Sequence, residues 1–223
     1  MININKGYPL FFTIMKIYLT RHSQTLWNQE KRLQGRLDSP LTKQGKDNAK
    51  ALCEYIKDKH FDAIYTSPIL RAYQTAQLIF PHQTIIQEPL LMEMNFGDFE
   101  GCPISKLVNE KLYYQLWHDP EHFTRIPHGE SYEDVVKRVN QFLQQIKKHD
   151  DQDNIFIVTH GMFFIVLLAT MLGYTKKDFT KLNQRVVEGC SLTCVNYKNG
   201  KFHLEYYNEC SYLPYVSHIN YIK

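Results

Sequence analysis

Two histidines and two arginines carry the clearest chemical signal in this sequence. Arg21 and His22 stand side by side in IYLTRHSQ, Arg71 lies in TSPILRA, and His160 lies in IVTHG. The planar guanidinium of arginine matches phosphate oxygens two at a time. Neutral imidazole can attack phosphorus, and its ordinary pKa of about 6.5 allows neutral and protonated roles near neutral pH. These residue types indicate a site for a small anion such as a phosphate group.

Both histidines come directly after apolar runs that predict buried strands. Residues 15–20 (MKIYLT) form a near-continuous β-branched and aliphatic run, and residues 155–159 (IFIVT) form another. In open α/β sheets, ligands bind in the crevice outside the carboxyl ends of the strands. We therefore expect His22 and His160 to face each other at one rim of a sheet.

The placement of Arg71 depends on a third strand and the helix after it. The run FDAIYTS (61–67) predicts a short strand. A helix is predicted over residues 68–80, with Pro68 in the first turn, where its missing N–H costs nothing. Arg71 then lies one turn into the helix, near an N-terminus that favours an anion. Taken alone, Arg71 also fits an ordinary arginine on a helix surface.

The remaining elements alternate in a way that predicts an α/β fold. Helices are predicted over 43–59 with Thr42 as N-cap, over 131–148 with Ser131 as N-cap, and over 161–172, and residues 191–207 predict an antiparallel hairpin around the turn KNG. Strands that alternate with helices favour a three-layer sandwich, in which helices flank a largely parallel central sheet.

The composition fits one globular domain and excludes several functional classes. With 223 residues, 43% of them hydrophobic, the chain can bury a sizeable core. A net charge of +3 is too mild to indicate a nucleic-acid partner. The five cysteines include no C-x-x-C pair, which favours reduced thiols over a disulfide framework. The sequence also lacks the phosphate-binding loop of nucleotide-dependent kinases.

No metal site is predicted either. His118 and His122 have a four-residue spacing that can suggest zinc, but Pro120 between them would break the helix needed to align the two rings.

Residues 1–14 are predicted to be an extension that precedes a single domain over residues 15–223. Thr13 and Lys16 interrupt the apolar N-terminal run, which also lacks the small-residue cleavage site of a signal peptide. It is not expected to span a membrane. The sequence therefore predicts a cytoplasmic protein with neither membrane nor nucleic acid as a partner, and leaves the oligomeric state open.

Six motifs in a fixed order resemble one known family. They are LTRHSQTLWN, LQGRLDSPLTKQG, YTSPILRAYQTA, MEMNFGDFEG, PHGESYEDV and IVTHG, and they extend over roughly residues 15–215. In this order the chain resembles the histidine phosphatase superfamily, the phosphoglycerate-mutase-like proteins, and within it the compact phosphatase branch. The resemblance implies an α/β sandwich with a mixed central sheet and a small inserted cap.

The resemblance also implies a role for each candidate residue. His22 would be the nucleophile that takes the phosphoryl group, and Glu93 would protonate the leaving oxygen and then activate water. The other residues implied at the site are the phosphate ligands Arg21, Arg71 and His160, the hydrogen-bonding Asn28, and Gln34 and Gly35 on a loop that approaches the substrate. Neither a metal nor a cofactor is implied, and the expected partner is a small phosphorylated substrate.

Three functions follow from the resemblance, and the sequence favours one. Mutases of this group have an arginine after the acid, whereas Met94 follows Glu93 here. Only 67 residues (160 − 93) separate Glu93 from His160, which resembles the compact phosphatases. The sequence therefore predicts a metal-independent phosphomonoesterase. The alternatives are a cofactor-dependent phosphoglycerate mutase and a non-catalytic phosphate-binding module on the same fold. Read without the resemblance, Glu93 fits an exposed carboxylate before a turn, and Asn28 fits a local cap.

Overall fold

The computed structural model describes residues 14–183 and 186–216. The strands are β1 (Met15–Arg21), β2 (Ala63–Thr66), β3 (Ile86–Gln87), β4 (Asn154–Thr159), β5 (Leu192–Lys198) and β6 (Lys201–Glu209). The helices are α1 (Leu26–Gln29), α2 (Lys43–Tyr55), α3 (Leu70–Ile79), α4 (Ile104–Leu107), α5 (Lys111–His118), α6 (Tyr132–Ile146), α7 (Gly161–Met171) and α8 (Phe179–Asn183). Short 3-10 turns cover Pro89–Leu91, Gly97–Phe99 and Lys176–Asp178.

The six strands form one mixed sheet in the order β3-β2-β4-β1-β5-β6. The first four are parallel to one another, and β5 and β6 are antiparallel to their neighbours. The predicted hairpin is confirmed: Asn199 and Gly200 connect β5 to β6, both with positive φ angles (52° and 77°), as a tight two-residue hairpin turn requires. The α/β fold with a largely parallel sheet is thus confirmed.

Helices cover both faces of the sheet, because successive strand residues point to opposite sides. Ile17 and Leu19 of β1 belong to the apolar core under α6 and α7. Tyr18, between them, belongs to the second core under α2 and α3. The three layers are therefore held together by two separate hydrophobic cores.

The two helices on the first face differ in character. Helix α7 is apolar all round and almost entirely buried, as expected of a central core helix. Helix α6 is amphipathic and begins at a capping box, in which Ser131 accepts a hydrogen bond from the backbone N–H of Asp134. The N-cap predicted at Ser131 is confirmed, and so is the one at Thr42.

Several predicted boundaries differ from the structure. Helix α3 begins at Leu70 with Ile69 as its N-cap, so Pro68 lies before the helix and not in its first turn. Helix α2 ends at Tyr55, four residues earlier than predicted, and a turn follows. The predicted N-terminal extension lies outside the described residues, apart from residue 14. Within the described residues, no helix is long and apolar enough to cross a membrane.

The segment between β3 and α6 forms the inserted cap. Over residues 88–131 it contains the short helices α4 and α5 and two 3-10 turns, joined by irregular chain. It packs onto the α6–α7 face through the buried side chains of Leu116, Trp117 and Phe123. The cap therefore shares a core with the sheet and closes one side of the rim where β1 and β4 end.

Candidate active site

The sheet brings the two histidines together. Strands β1 and β4 are parallel neighbours in which Arg21 pairs with Thr159, so His22 and His160 leave the sheet at the same level. The pairing extends one step further, since the backbone N–H of His22 donates to the Thr159 carbonyl at 2.8 Å. The two imidazole rings lie with their centroids 5.3 Å apart. The predicted meeting of the two histidines is confirmed.

The protonation of His22 follows from its hydrogen bond. Its Nδ1 lies 2.7 Å from the Ser23 carbonyl oxygen. Because a carbonyl can only accept a hydrogen bond, Nδ1 must carry the proton in the neutral ring. Nε2 then keeps its lone pair, which makes it the atom able to act as a nucleophile.

His160 lies beside His22 as the fully buried N-cap residue of α7. Its Nε2 is 2.7 Å from the Ser67 hydroxyl, which comes from the end of β2. The imidazole does not line the cavity of the site directly. It contacts the site through the ring of His22, so its place at the rim is confirmed, whereas a direct contact with an anion stays a prediction.

Burial and neighbouring cations keep both imidazoles neutral. Desolvation holds the pKa of His22 well below its ordinary value, and the positive charges of Arg71 and Arg21 lower it further. The pKa of His160 is likewise well below its ordinary value, mainly through burial and then through Arg71 and the neighbouring His22. A neutral His22 is the form that a nucleophilic imidazole requires.

Arg71 is the most deeply buried cation of the site, with 1% of its surface exposed. Its Nη2 donates to the Gly35 carbonyl at 2.7 Å, and its Nη1 donates to the Leu37 carbonyl at 2.7 Å. It is the second residue of α3, and so lies closer to the helix start than predicted. Its Nε has no hydrogen-bond partner in the described part of the chain, which leaves a buried donor for an anion.

Gly35 is required by the loop that holds Arg71. Its φ angle is +58°, and a Cβ at this position would lie 2.0 Å from the Oε1 atom of Glu100. Glu100 Oε1 accepts hydrogen bonds from the backbone N–H groups of Arg36 and Phe96, each at 2.9 Å. A glycine therefore lets this carboxylate join the loop to the cap.

Arg21, Asn28 and Gln34 complete the side of the site nearest the sheet. Arg21 is buried at the end of β1, and its Nη1 donates to the Val187 carbonyl at 3.2 Å. Asn28 Oδ1 accepts from the backbone N–H of Thr25 at 3.0 Å, so Asn28 does serve as a local cap while it also lines the cavity. Gln34 Oε1 accepts from the Thr25 hydroxyl at 3.1 Å.

Glu93 lines the same cavity as His22 from the cap side and is not an exposed carboxylate, since only 6% of its surface is accessible. Its Oε1 accepts from the backbone N–H groups of Phe163 and Met94, each at 2.9 Å, and its Oε2 accepts from that of Met162 at 3.2 Å. The first turn of α7 therefore fixes this carboxylate beside the cavity.

These side chains enclose a small cavity of about 50 Å³. Seven of the eight predicted site residues line it, all except His160. Sequence reasoning missed several further lining residues, which are Arg32, Leu33, Trp117, Gly161, Met162 and Val186. Phe96 also lines the cavity.

Trp117 is the most informative of the missed residues. Its indole Nε1 is buried and has no hydrogen-bond partner among the described residues. It lies in the aromatic run YYQLWH of α5, where nothing in the sequence separates a cavity residue from a core residue.

The described residues contain no cluster of three or more histidine, cysteine or acidic side chains that could hold a metal.

Comparisons with known proteins agree with this geometry. A profile of the histidine phosphatase superfamily, branch 1, matches residues 17–210. A relative from Yersinia pestis, named probable phosphoglycerate mutase GpmB, is 33% identical over 189 residues, which cover 83% of this chain and 86% of the relative.

Solved structures show the same fold. Bacillus stearothermophilus YhfR aligns with a TM-score of 0.82 and 30% identity, over 89% of this chain and 99% of that one. A phosphoserine phosphatase variant from Entamoeba histolytica, in complex with phosphoserine, aligns with a TM-score of 0.80 and 26% identity, over 89% of this chain and 99% of that one. On the strength of the profile match and of the Yersinia relative, the chain belongs to the histidine phosphatase superfamily, branch 1, whose members resemble phosphoglycerate mutase.

Proposed function

We propose that the protein is a metal-independent phosphomonoesterase that acts on small phosphorylated metabolites through a phosphohistidine at His22. The observation that carries this proposal is the hydrogen bond from Nδ1 of His22 to the Ser23 carbonyl. It leaves the Nε2 lone pair available in a buried cavity beside two arginines. The Entamoeba relative is a phosphoserine phosphatase variant in complex with phosphoserine, a small phosphomonoester, which supports a substrate of this class.

In the first half-reaction, Nε2 of His22 forms a bond to phosphorus while the bond from phosphorus to the ester oxygen breaks. Arg21 and Arg71 stabilise the charge on the other phosphate oxygens, which is the main contribution that phosphoryl transfer needs from a protein. Glu93, in its protonated form, gives its proton to the departing oxygen. The products are an alcohol and a phosphohistidine.

In the second half-reaction, Glu93 works in the opposite direction. As a carboxylate it takes a proton from water, and the resulting hydroxide attacks the phosphorus of the phosphohistidine. The bond from phosphorus to Nε2 breaks, inorganic phosphate leaves, and His22 and protonated Glu93 are restored. The same residue therefore serves as acid and then as base.

A phosphoglycerate mutase is the second candidate, and the name of the Yersinia relative favours it. A mutase returns the phosphoryl group to an organic hydroxyl instead of to water, so the two activities differ in what reaches the phosphohistidine. The compact cap, with only short helices over residues 88–131, favours access of water.

A non-catalytic binding module is the third candidate. The presence of His22, Arg71 and Glu93 in one site argues against it.

The proposal is tested by release of phosphate from p-nitrophenyl phosphate in the presence of EDTA. The wild type is compared with His22→Ala and with the control His82→Ala, which changes an exposed histidine outside the site. We expect hydrolysis by the wild type and the control, and none by His22→Ala. Labelled, acid-labile phosphoenzyme should form in the same two proteins.

The other outcomes separate the alternatives. Phosphoenzyme that transfers its label to a phosphoglycerate faster than to water would establish the mutase. Absence of both phosphoenzyme and hydrolysis, with inorganic phosphate still bound, would establish the binding module. Activity lost in EDTA and restored by a metal ion would exclude the proposed mechanism.

A further inference from the structure

Glu93 lies in a segment that no regular element holds. It falls between the 3-10 turn that ends at Leu91 and the one that begins at Gly97. Its carboxylate is fixed by the first turn of α7, but its backbone has no helix or sheet to hold it. A general acid must stay within hydrogen-bond reach of the departing oxygen, so the contacts that fix this backbone matter for the chemistry.

One guanidinium supplies three of these contacts. Arg138 lies on α6, and its side chain is only 14% exposed. Its Nη1 donates to the carbonyls of Leu90 at 2.6 Å and Met92 at 3.0 Å. Its Nη2 donates to the carbonyl of Glu93 itself at 3.4 Å, an oxygen that also accepts from Arg36 Nε at 3.1 Å. Arg138 therefore binds the backbone on the N-terminal side of the acid and at the acid.

Glu130 orients Arg138 and also holds the C-terminal side of the segment. Its Oε1 accepts from Arg138 Nε at 2.8 Å, and its Oε2 accepts from Arg138 Nη2 at 3.0 Å. Oε2 also accepts from the backbone N–H of Asn95 at 2.9 Å. A two-point pair between a guanidinium and a carboxylate is among the strongest and most directional contacts in proteins.

Arg138 also touches the residue that binds the carboxylate of Glu93. Its guanidinium carbon lies 4.9 Å from the centre of the Phe163 ring, and the backbone N–H of Phe163 donates to Glu93 Oε1. Arg138 thus contacts the structure on both sides of the acid, its backbone and its hydrogen-bond donor. It does not line the cavity, so it does not touch a substrate there.

We propose that Arg138, oriented by Glu130, is a positioning residue for the acid Glu93. This inference rests on the proposed function, in which Glu93 transfers a proton to the leaving oxygen as the bond from phosphorus breaks. Arg138 neither gives nor takes a proton in that step. It fixes the distance across which Glu93 transfers one, and small misplacements of a catalytic group cost about a hundredfold in rate.

The test uses two esters with different needs for an acid. Nitrophenolate leaves without protonation, whereas the alkoxide from glycerol phosphate requires a proton. The variant is Arg138→Lys, because lysine keeps the charge but cannot span a carboxylate and three carbonyls at once. The matched control is Arg125→Lys, which changes an exposed arginine paired with Asp134. Phosphoenzyme formation is measured in single turnovers, so that the second half-reaction does not mask the first.

We expect Arg138→Lys to slow phosphoenzyme formation from glycerol phosphate roughly ten- to a hundredfold. Formation from p-nitrophenyl phosphate should stay within about threefold of the wild type, since that step needs no acid. Adding Arg138→Lys to Glu93→Gln should cost nothing further, because Arg138 acts through Glu93. Equal losses on both esters, or an added loss in the double variant, would show a general structural role and overturn the inference.

Amide hydrogen exchange provides a readout that needs no turnover. The N–H groups of Met94 and Phe163 both donate to Glu93 Oε1, so a displaced carboxylate should expose them to faster exchange in Arg138→Lys but not in Arg125→Lys. If the wild type forms no phosphoenzyme with either ester, the proposed function fails, and the exchange result alone decides whether Arg138 positions the carboxylate. Unchanged exchange at both amides would overturn the inference.

A second variant covers the case in which Arg138→Lys does not fold. Glu130→Gln leaves the Arg138 side chain unsubstituted but removes the negative charge that orients it. It should show the same difference between the two esters, with a smaller effect. Identical rates in Glu130→Gln and the wild type on both esters would contradict the inference.

Discussion

The two sides of the site are held in place by different means. The strand-end group, made of Arg21, His22, Arg71 and His160, comes from the ends of β1 and β4 and the first turn of α3. Backbone hydrogen bonds of regular elements fix these residues, as in the pairing of Arg21 with Thr159. Their positions therefore follow directly from the fold.

The cap group, made of Glu93, Phe96 and Trp117, is held mostly by side chains. Glu93 and Phe96 lie in irregular chain, and Trp117 lies on the eight-residue helix α5 of the cap. The contacts that place them come from individual residues, such as Arg138 and Arg36 for the backbone at Glu93 and Glu100 for the N–H of Phe96.

This difference separates what the fold dictates from what single substitutions can change. A sheet rim holds a nucleophile and its cations with little dependence on any one side chain, whereas the cap group depends on a few contacts. Relatives that share this fold carry different names, a probable mutase in Yersinia and a phosphoserine phosphatase in Entamoeba. We expect the differences in acceptor and substrate to lie mainly in the cap group.

After the loss of the nucleophile itself, the largest effect is expected when the strand-end group loses the guanidinium of Arg71. Arg71→Lys replaces a fork that donates to two carbonyls and leaves Nε for an anion, and lysine cannot supply these donors together. We expect kcat/KM for p-nitrophenyl phosphate to fall roughly a hundred- to a thousandfold, with a lower thermal midpoint because buried carbonyls lose their donors. Arg125→Lys is the control, and a loss of less than about threefold would contradict the role of Arg71.

A smaller and more selective effect is expected on the cap side. Glu93→Gln keeps the shape and an oxygen acceptor but removes the acid and base. Phosphoenzyme should still form from p-nitrophenyl phosphate, because nitrophenolate leaves unaided, and its hydrolysis should slow about a hundredfold or more. The measurement is a burst of nitrophenol of one equivalent per site before a slow steady state. A steady-state rate equal to that of the wild type, without a burst, would exclude Glu93 as the base.

The same division explains how much could be predicted from the sequence. The apolar runs before Arg21 and His160 predicted strands, and the rule for parallel sheets placed both histidines at one rim, as the structure confirms. The hairpin and the caps at Thr42 and Ser131 followed from local turn and cap chemistry. These features depend on short stretches of chain and on regular hydrogen bonding, which sequence patterns report directly.

The cap group depends on contacts that sequence patterns do not report. Glu93 was identified only through the family resemblance, and its environment, with three backbone donors, comes from the distant helix α7. Arg138 occupies a polar position on an amphipathic helix, where an arginine normally faces solvent. The error at Pro68 is local: a proline near a helix start does not decide whether it lies just inside or just before the first turn.

The smallest expected effect is on the pH dependence of the stability of the unliganded protein. His22 and His160 have pKa values held well below the ordinary value by burial and by the nearby arginines, with the carboxylate of Glu93 across the cavity. In the unfolded chain they take up protons below about pH 6.5, so unfolding gains protons there and stability falls as the pH decreases. Each histidine contributes up to about 1.4 kcal/mol per pH unit in that window, which extends down to its own lowered pKa.

His160→Gln should therefore reduce the pH dependence of unfolding by about the share of one histidine. The free energy of unfolding is measured by urea denaturation from about pH 7.5 to about pH 5.5, with His82→Gln as the exposed control. A slope in His160→Gln equal to that of the wild type would mean that His160 already carries a proton in the folded protein. The strand-end group would then present a cation beside His22 before any anion binds, and the neutral pair inferred from its burial would be wrong.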